Sequence, residues 1–243
     1  MAKLLDDALV IAWLHAHRLT RPPVAFLLGM ILFPVPMLFL ARYLVPEGVD
    51  VGPRLIAGSM VFSVGLSAVQ GLAASLNADR FTYRLRLIRS YPVHRVSYAA
   101  GMLLAGTAQA VLGACLLVLL APVLGIEVHL SVWLLPVAIL TAISLSGLAL
   151  VISTRAPTWE AGNMLAGIAG IFVVLMSPIY FPVSRLPEWL QPVARLSPYT
   201  YAADALNSIL SGQAGFFDEM AILAAITVAS LCIGIAGMRW REV

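Results

Sequence analysis

Lysine is almost missing from this chain: Lys3 stands alone among 243 residues, and every other basic side chain is arginine. A phosphate-binding loop of the form G-x-x-x-x-G-K-[ST] needs a lysine on the nucleotide phosphates, so ATP hydrolysis by that route is excluded for this chain alone. Cysteine is scarce too. Cys115 and Cys232 each lie inside an apolar run and read as small packing residues, not as a disulfide or redox pair. The four histidines make no metal pattern: His15 and His17 are two apart on a helix and point different ways, while His94 and His129 fall at opposite ends of the apolar segments. G-x-S-x-G does not occur, which leaves a membrane hydrolase little support. No carboxylate falls at the middle of a long apolar run. That counts against an ion-coupled secondary transporter, which needs a titratable relay, although this class and a non-transporting scaffold stay open as alternatives.

What the chain does have is apolar surface. Hydrophobic residues make up 61% and charged residues 11%, where soluble domains carry about a quarter charged. With a mean hydropathy of +0.94 this is an integral membrane protein, all-α by the length of its apolar runs. The net charge of +3 is weak, and its clustering reports topology and lipid headgroup contact instead of nucleic-acid binding.

The stretch Asp79 to Arg95, DRFTYRLRLIRSYPVHR, organises the rest. Its five arginines (Arg80, Arg84, Arg86, Arg89, Arg95) lie between long apolar runs. Burying all five would cost on the order of 15 kcal/mol at about 2.5–3.5 kcal/mol each. The segment is therefore expected to be an aqueous loop, and the positive-inside rule holds it in the cytoplasm.

Around it the spacing predicts six spans, at 24–45, 55–76, 97–124, 130–152, 162–181 and 217–238. Each is long enough to cross about 30 Å of hydrocarbon. Residues 1–23 precede them as an amphipathic helix on the membrane surface, with Leu4, Leu5, Ala8, Leu9, Ala12, Ala16 and Leu19 on one stripe and Pro22-Pro23 as its end. A cleaved signal peptide is not expected there. Pro34 and Pro36 predict a kink in the first span. With loops assigned alternately, the cytoplasmic side carries Lys3, Arg18, Arg21, the five loop arginines, Arg155, Arg239 and Arg241, against Arg42, Arg54, Arg185 and Arg195 outside. Both termini are expected inside, in a single membrane domain over 1–243 at the cell's cytoplasmic membrane.

Within the second span, Ser59, Ser63, Ser67, Gly71 and Ser75 recur every four residues, and Gly162, Ala166 and Gly170 do the same in the fifth. Such stripes allow close helix packing, either within the chain or beside a path. Polar residues at membrane depth are few: Gln70, Gln109 and Asn163, each readable as an interhelical hydrogen bond or as a ligand contact.

Between the fifth and sixth spans runs SPIYFPVSRLPEWLQPVARLSPYTYAADALNSILSG, Ser177 to Gly212. Leu186, Trp189, Leu190 and Val193, then Tyr199, Ala202, Ala203, Leu206, Ile209 and Leu210, follow helical spacing and predict two short helices. Ser197 is placed as N-cap, Pro198 at the first helical position and Gly212 as C-cap of the second. At roughly 12 residues each, a re-entrant or interfacial pair fits better than two spans.

This segment resembles the C-terminal signature of the type-2 ATP-binding-cassette exporter permeases, in particular the drug-exporter branch similar to daunorubicin-resistance permeases. The matching elements are Ser177-Pro178, Phe181-Pro182, Leu186-Pro187, Trp189-Leu190-Gln191-Pro192, Ser197-Pro198, Thr200-Tyr201 and Asp204-Ala205-Leu206. The family often has Asn where Ser197 stands and Arg where Asn207 stands, departures that weaken any assignment of substrate.

The resemblance implies a permease subunit, not itself an enzyme, moving a hydrophobic or amphipathic substrate (a drug, a lipid or a lipid-linked glycan) outward. It implies a separate nucleotide-binding subunit holding ATP and magnesium, no cofactor on this chain, and a second permease copy or paralogue. Coupling to the ATPase would fall on Arg80, Phe81, Tyr83, Arg84, Arg86 and Arg89, with Arg155 and Glu160 as a second, smaller contact. The substrate path would take Phe62, Val69 and Gln70 from the second span and Phe172, Val173 and Met176 from the fifth, beneath an outer gate of Pro178, Ile179 and Phe181.

Overall fold

The computed structural model describes residues 2–19, 32, 34–44, 52–82, 84–91 and 93–237, and every regular element among them is helical. Besides two single-turn 3-10 helices, Pro122–Leu124 and Val183–Arg185, these are in chain order α1 (Ala2–Leu19), α2 (Pro34–Leu44), α3 (Gly52–Phe81), α4 (Arg84–Ser90), α5 (Arg95–Leu120), α6 (Leu134–Ser144), α7 (Ser146–Arg155), α8 (Trp159–Met176), α9 (Gln191–Leu196), α10 (Pro198–Leu210) and α11 (Phe217–Gly237). Five stretches are long and apolar enough to cross a membrane: α3, Val96–Leu124, α6 with α7 (Leu134–Arg155), α8 and α11. Of the span expected at 24–45, residues 34–44 form α2, with Pro34 and Pro36 in its first turn, where a missing N–H loses no helical bond. The remainder of that span, with any kink, and Pro22-Pro23 lie outside the described residues.

The central column is α3. Arg54 to Gly65 are buried on every side, which is why this stretch reads as continuously small and apolar with no lipid-facing stripe. Near its middle, Ser67–Gly71 forms a π turn, and the extra residue per turn shifts the phase of everything beyond it. Ser59 and Ser63 are buried, while Ser67, Gly71 and Ser75 are half-exposed. The expected single stripe is thus two faces, rotated against each other by the π turn. Two apolar cores flank this point. One gathers Ile56, Val61, Leu117, Val137, Tyr199 and Leu206, the other Leu76, Tyr98, Met102, Leu150 and Ala166 nearer the arginine-rich end.

Several boundaries depart from the sequence expectation. α3 runs on to Phe81, so Asp79 and Arg80 belong to a helix and not to an aqueous loop; Asp79 is buried and its carboxylate accepts from the Tyr98 hydroxyl at 3.1 Å. The fourth span breaks at Leu145, the fifth stops at Met176 because Ser177 precedes Pro178 and is held extended, and the first outer helix is only Gln191–Leu196. There Pro187 keeps Leu186 extended, leaving Trp189 and Leu190 in a turn. α10 forms as its sequence requires: the Ser197 hydroxyl accepts from Tyr199 N, Pro198 sits at the first position, and Gly212 takes a left-handed φ of 68°. Gly212 N and Gln213 N donate back to the Ile209 and Ser208 carbonyls, the Schellman closure.

α1 packs on α5 at Gly101, where a Cβ would fall 2.6 Å from the Ala8 carbonyl oxygen. The line facing the protein is Ala8, Ile11 and His15, whereas Leu5, Leu9 and Trp13 face away and are more than half exposed.

Candidate functional site

At the end of the bundle opposite the arginine-rich segment, Arg54 lies in the first turn of α3 and is 8% exposed. Its guanidinium meets four acceptors: Nε donates to the Ile179 carbonyl at 3.1 Å, Nη2 to the carbonyls of Pro178 at 2.9 Å and Phe181 at 3.1 Å, and Nη1 to the Asp204 carboxylate on α10. The turn after α8 leaves these carbonyls without helical partners, and one planar cation satisfies three of them. The Ser177 hydroxyl bonds the Ser197 hydroxyl at 2.6 Å, tying the same turn to the N-terminus of α10. Two glycines of α3 admit this assembly. A Cβ at Gly58 would lie 2.7 Å from the Tyr180 ring, and one at Gly65 would lie 2.7 Å from the ring of Tyr199, whose hydroxyl donates to the Gly65 carbonyl at 3.3 Å. Pro178, Ile179 and Phe181 are therefore clamped through their backbones, with Ile179 buried and the Phe181 side chain 39% exposed.

Beside this clamp opens a cavity of about 780 Å³, walled by the start of α3, the segment 127–129, the turn 182–185 and the C-terminal end of α10.

At the π turn and beyond it, α3 and α8 lie against each other through small residues. Gly162 meets the Asn77 amide, Gly167 leaves 3.3 Å between a would-be Cβ and Gln70 Nε2, and Gly170 rests on Val69. Asn77 Nδ2 donates to Asn163 Oδ1 at 3.0 Å. The small residues of α8 thus turn toward α3, and Phe172 and Met176 are exposed on the opposite side at 60% and 38%. Gln70 is exposed at the π turn and Val173 half-buried, while Phe62 and Val69 are buried within the chain.

At the arginine-rich end, Arg80 donates from Nη1 to the carbonyls of Ser153 at 3.0 Å and Ala156 at 2.7 Å and lies over the Phe81 ring at 5.0 Å. This brings the turn between α7 and α8, flanked by Arg155 and Glu160, both exposed, next to the base of α4. Ile88 packs α4 onto the neighbouring core, and Arg84, Leu87 and Tyr91 face outward. Tyr83 and the side chains of Arg86 and Arg89 lie outside the described residues.

Sequence reasoning misses the Arg54–Asp204 pair, 150 residues apart, and the crossing of α7 and α11, where Gly147 faces the Ser230 backbone and Gly234 faces Gly147. A signal for the first existed. A cation in the first turn of a helix opposes the helix dipole and calls for a partner, and Asp204 is the acidic residue of an otherwise uncharged helix. Among the described residues no group of three His, Cys, Asp or Glu side chains is placed to hold a metal ion.

Helices of this length and apolarity, joined at one end by a basic amphipathic arm and at the other by a buried polar clamp, define a multi-pass membrane protein. Residues 8–211 match the ABC-2 type transporter family, and the chain belongs to that family, whose members are membrane transport subunits. It is similar to Nodulation protein J of Rhizobium meliloti (strain 1021), with 29% identity over 79 residues, a stretch covering 32% of this chain and 30% of that protein.

Proposed function

We propose that this chain is the permease subunit of an ATP-binding-cassette exporter, of the drug-exporter branch, moving a hydrophobic or amphipathic molecule (a drug, a lipid or a lipid-linked glycan) outward across the cytoplasmic membrane. ATP and magnesium are held by a separate nucleotide-binding subunit. Residues 24–45 make a sixth span, α1 lies in the interface, α9 and α10 form a re-entrant pair on the outer side, and both termini are cytoplasmic. The observation that carries the reading is α4, a seven-residue arm between two membrane helices whose Ile88 holds it to the bundle while Arg84, Leu87 and Tyr91 are presented outward. A cationic and apolar surface of that kind fits a protein partner, since apolar anchors supply most of the affinity of docking. Arg80 and Phe81 support the arm from beneath, and Arg155 and Glu160 extend its surface across the adjacent turn.

Reconstitution with the partner ATPase in vesicles tests this directly: efflux is expected to require ATP, and ATP-independent flux through this chain alone overturns it. In the same vesicles, replacing Tyr83, Arg84 and Arg86 together is expected to cut substrate-stimulated ATPase at least tenfold. Unchanged stimulation and assembly would reduce the arm to a topological marker.

Two copies, or this chain and a paralogue, enclose the path, because one bundle of six spans is too small to surround a large cavity. The faces turned toward that path are Gln70 at the π turn and Phe172 with Met176 on α8, with Val173 at their edge and the buried Phe62 and Val69 backing them. Pro178, Ile179 and Phe181 close it on the outer side. Cysteines at Phe172 and Met176 are expected to crosslink between copies and to block transport. Crosslinking confined to positions on α5 would move the path elsewhere.

A further inference from the structure

The cavity beside the Arg54 clamp carries chemistry that the export reading does not use. Four separate segments build it, and its lining carries charges of both signs. Arg54 is spent on its four acceptors, so the available cation is Arg185, and the available anion is Glu127. Both side chains are exposed, and neither makes an ion pair among the described residues. The same wall offers further hydrogen-bonding groups: the His129 imidazole and the amides of Asn207 and Gln213. Its rim is rigid, since the His129 backbone N–H donates to the Leu210 carbonyl at 2.7 Å and the Schellman closure fixes residues 211–213. The volume, about 780 Å³, is that of a small-molecule site and far exceeds what a single ion needs.

We infer that this cavity binds a phosphoethanolamine-type zwitterion, its phosphate on Arg185 and the neighbouring amides and its ammonium on Glu127. A guanidinium matches a phosphate with two parallel N–H donors, and a primary ammonium supplies three donors to a carboxylate. A quaternary ammonium is disfavoured, because such groups are held by aromatic cages and no Phe, Tyr or Trp lines the cavity. An anion without an ammonium leaves Glu127 unanswered. The inference rests on the membrane fold and not on export, so a failed efflux assay leaves it standing.

The test uses the detergent-purified full chain and short-chain phosphatidylethanolamine, phosphatidylglycerol and phosphatidylcholine, titrated calorimetrically. Phosphatidylethanolamine is expected to bind at least tenfold tighter than the other two. Glu127→Gln should lose about tenfold toward phosphatidylethanolamine and nothing toward phosphatidylglycerol, whereas Arg185→Gln should weaken both. Since both side chains are exposed and unpaired, the lipid-free thermal midpoints of these variants should equal that of the wild type. Glycerophosphoethanolamine separates two sources of the same chemistry: if it binds with the same variant pattern the site reads a free phosphodiester, and if only the lipid binds the source is the membrane. Equal affinity for phosphatidylglycerol and phosphatidylethanolamine, or indifference to Glu127→Gln, overturns the inference.

Discussion

Replacing Arg54 with leucine is expected to cost the folded chain roughly 3–5 kcal/mol, the range for removing one partner of a buried ionic network. The loss has two parts. Three carbonyls of the turn 178–181 lose their donor, and the Asp204 carboxylate, 33% exposed, loses its counter-charge. Asp204→Asn keeps an acceptor for Nη1 and leaves the three carbonyl bonds in place, so it should cost only about 1 kcal/mol. Arg54→Lys should fall between, because a point charge with three donors cannot reach four acceptors in the plane of a fork. Unfolding of the detergent-purified variants by SDS titration measures each value, and the Arg54→Leu/Asp204→Leu double variant closes the cycle. The two changes should cost 1–3 kcal/mol less together than the sum of the singles. A loss under about 1 kcal/mol for Arg54→Leu would mean that the clamp is solvated and idle.

How much of this was legible beforehand follows from the range of each interaction. The length and composition of the spans need only local counting, and α3, α5, α8 and α11 lie close to where hydropathy puts them. The caps of α10 are equally local, since Ser197, Pro198 and Gly212 act within a few residues of themselves. The π turn at Ser67–Gly71 left no such mark. The four-residue interval from Ser59 to Ser75 predicts one stripe, and only the packing of α3 against α8 and α10 reveals that its halves face differently. For the site, the arginine-rich segment was visible as a surface feature, but Arg80 proved to be an internal tie to Ser153 and Ala156, a role set by a helix 73 residues away. Asp204 lay inside a recognisable motif, yet its partner could be guessed only from the misfit of a cation at a helix start.

The same alanine substitution is expected to act with opposite signs at two glycines in membrane helices. At Gly106 a Cβ would meet nothing within 4 Å, so Gly106→Ala should be neutral or stabilising by up to about 1 kcal/mol through helix propensity. At Gly147 the added carbon would fall on the Ser230 carbonyl of α11, and a Cβ at Gly234 would fall on the Gly147 backbone. Neither obstacle is a side chain that can rotate aside. The helices run parallel through this crossing, since farther along Gly237 faces Val151, so any relief must push α7 and α11 apart along their length. That separation also reaches the break at Leu145. There the helix of the fourth span is interrupted at membrane depth, and hydroxyls serve the carbonyls around it: Ser144 on Thr141 at 2.7 Å, Ser146 on Ala142 at 2.9 Å, and Thr227 of α11 on Leu140 at 3.3 Å. Thr227 shares its hydroxyl between the Leu223 carbonyl of its own helix at 2.7 Å and Leu140 across the crossing, so the longer arm, at 3.3 Å, is the one a separation breaks first. Gly147→Ala should therefore destabilise by about 1–3 kcal/mol and Gly147→Val by more, as overpacking does where nothing can yield. SDS unfolding of the three variants side by side reads the sign; a Gly147→Ala chain as stable as the Gly106→Ala chain would show that α7 and α11 do not cross at these residues.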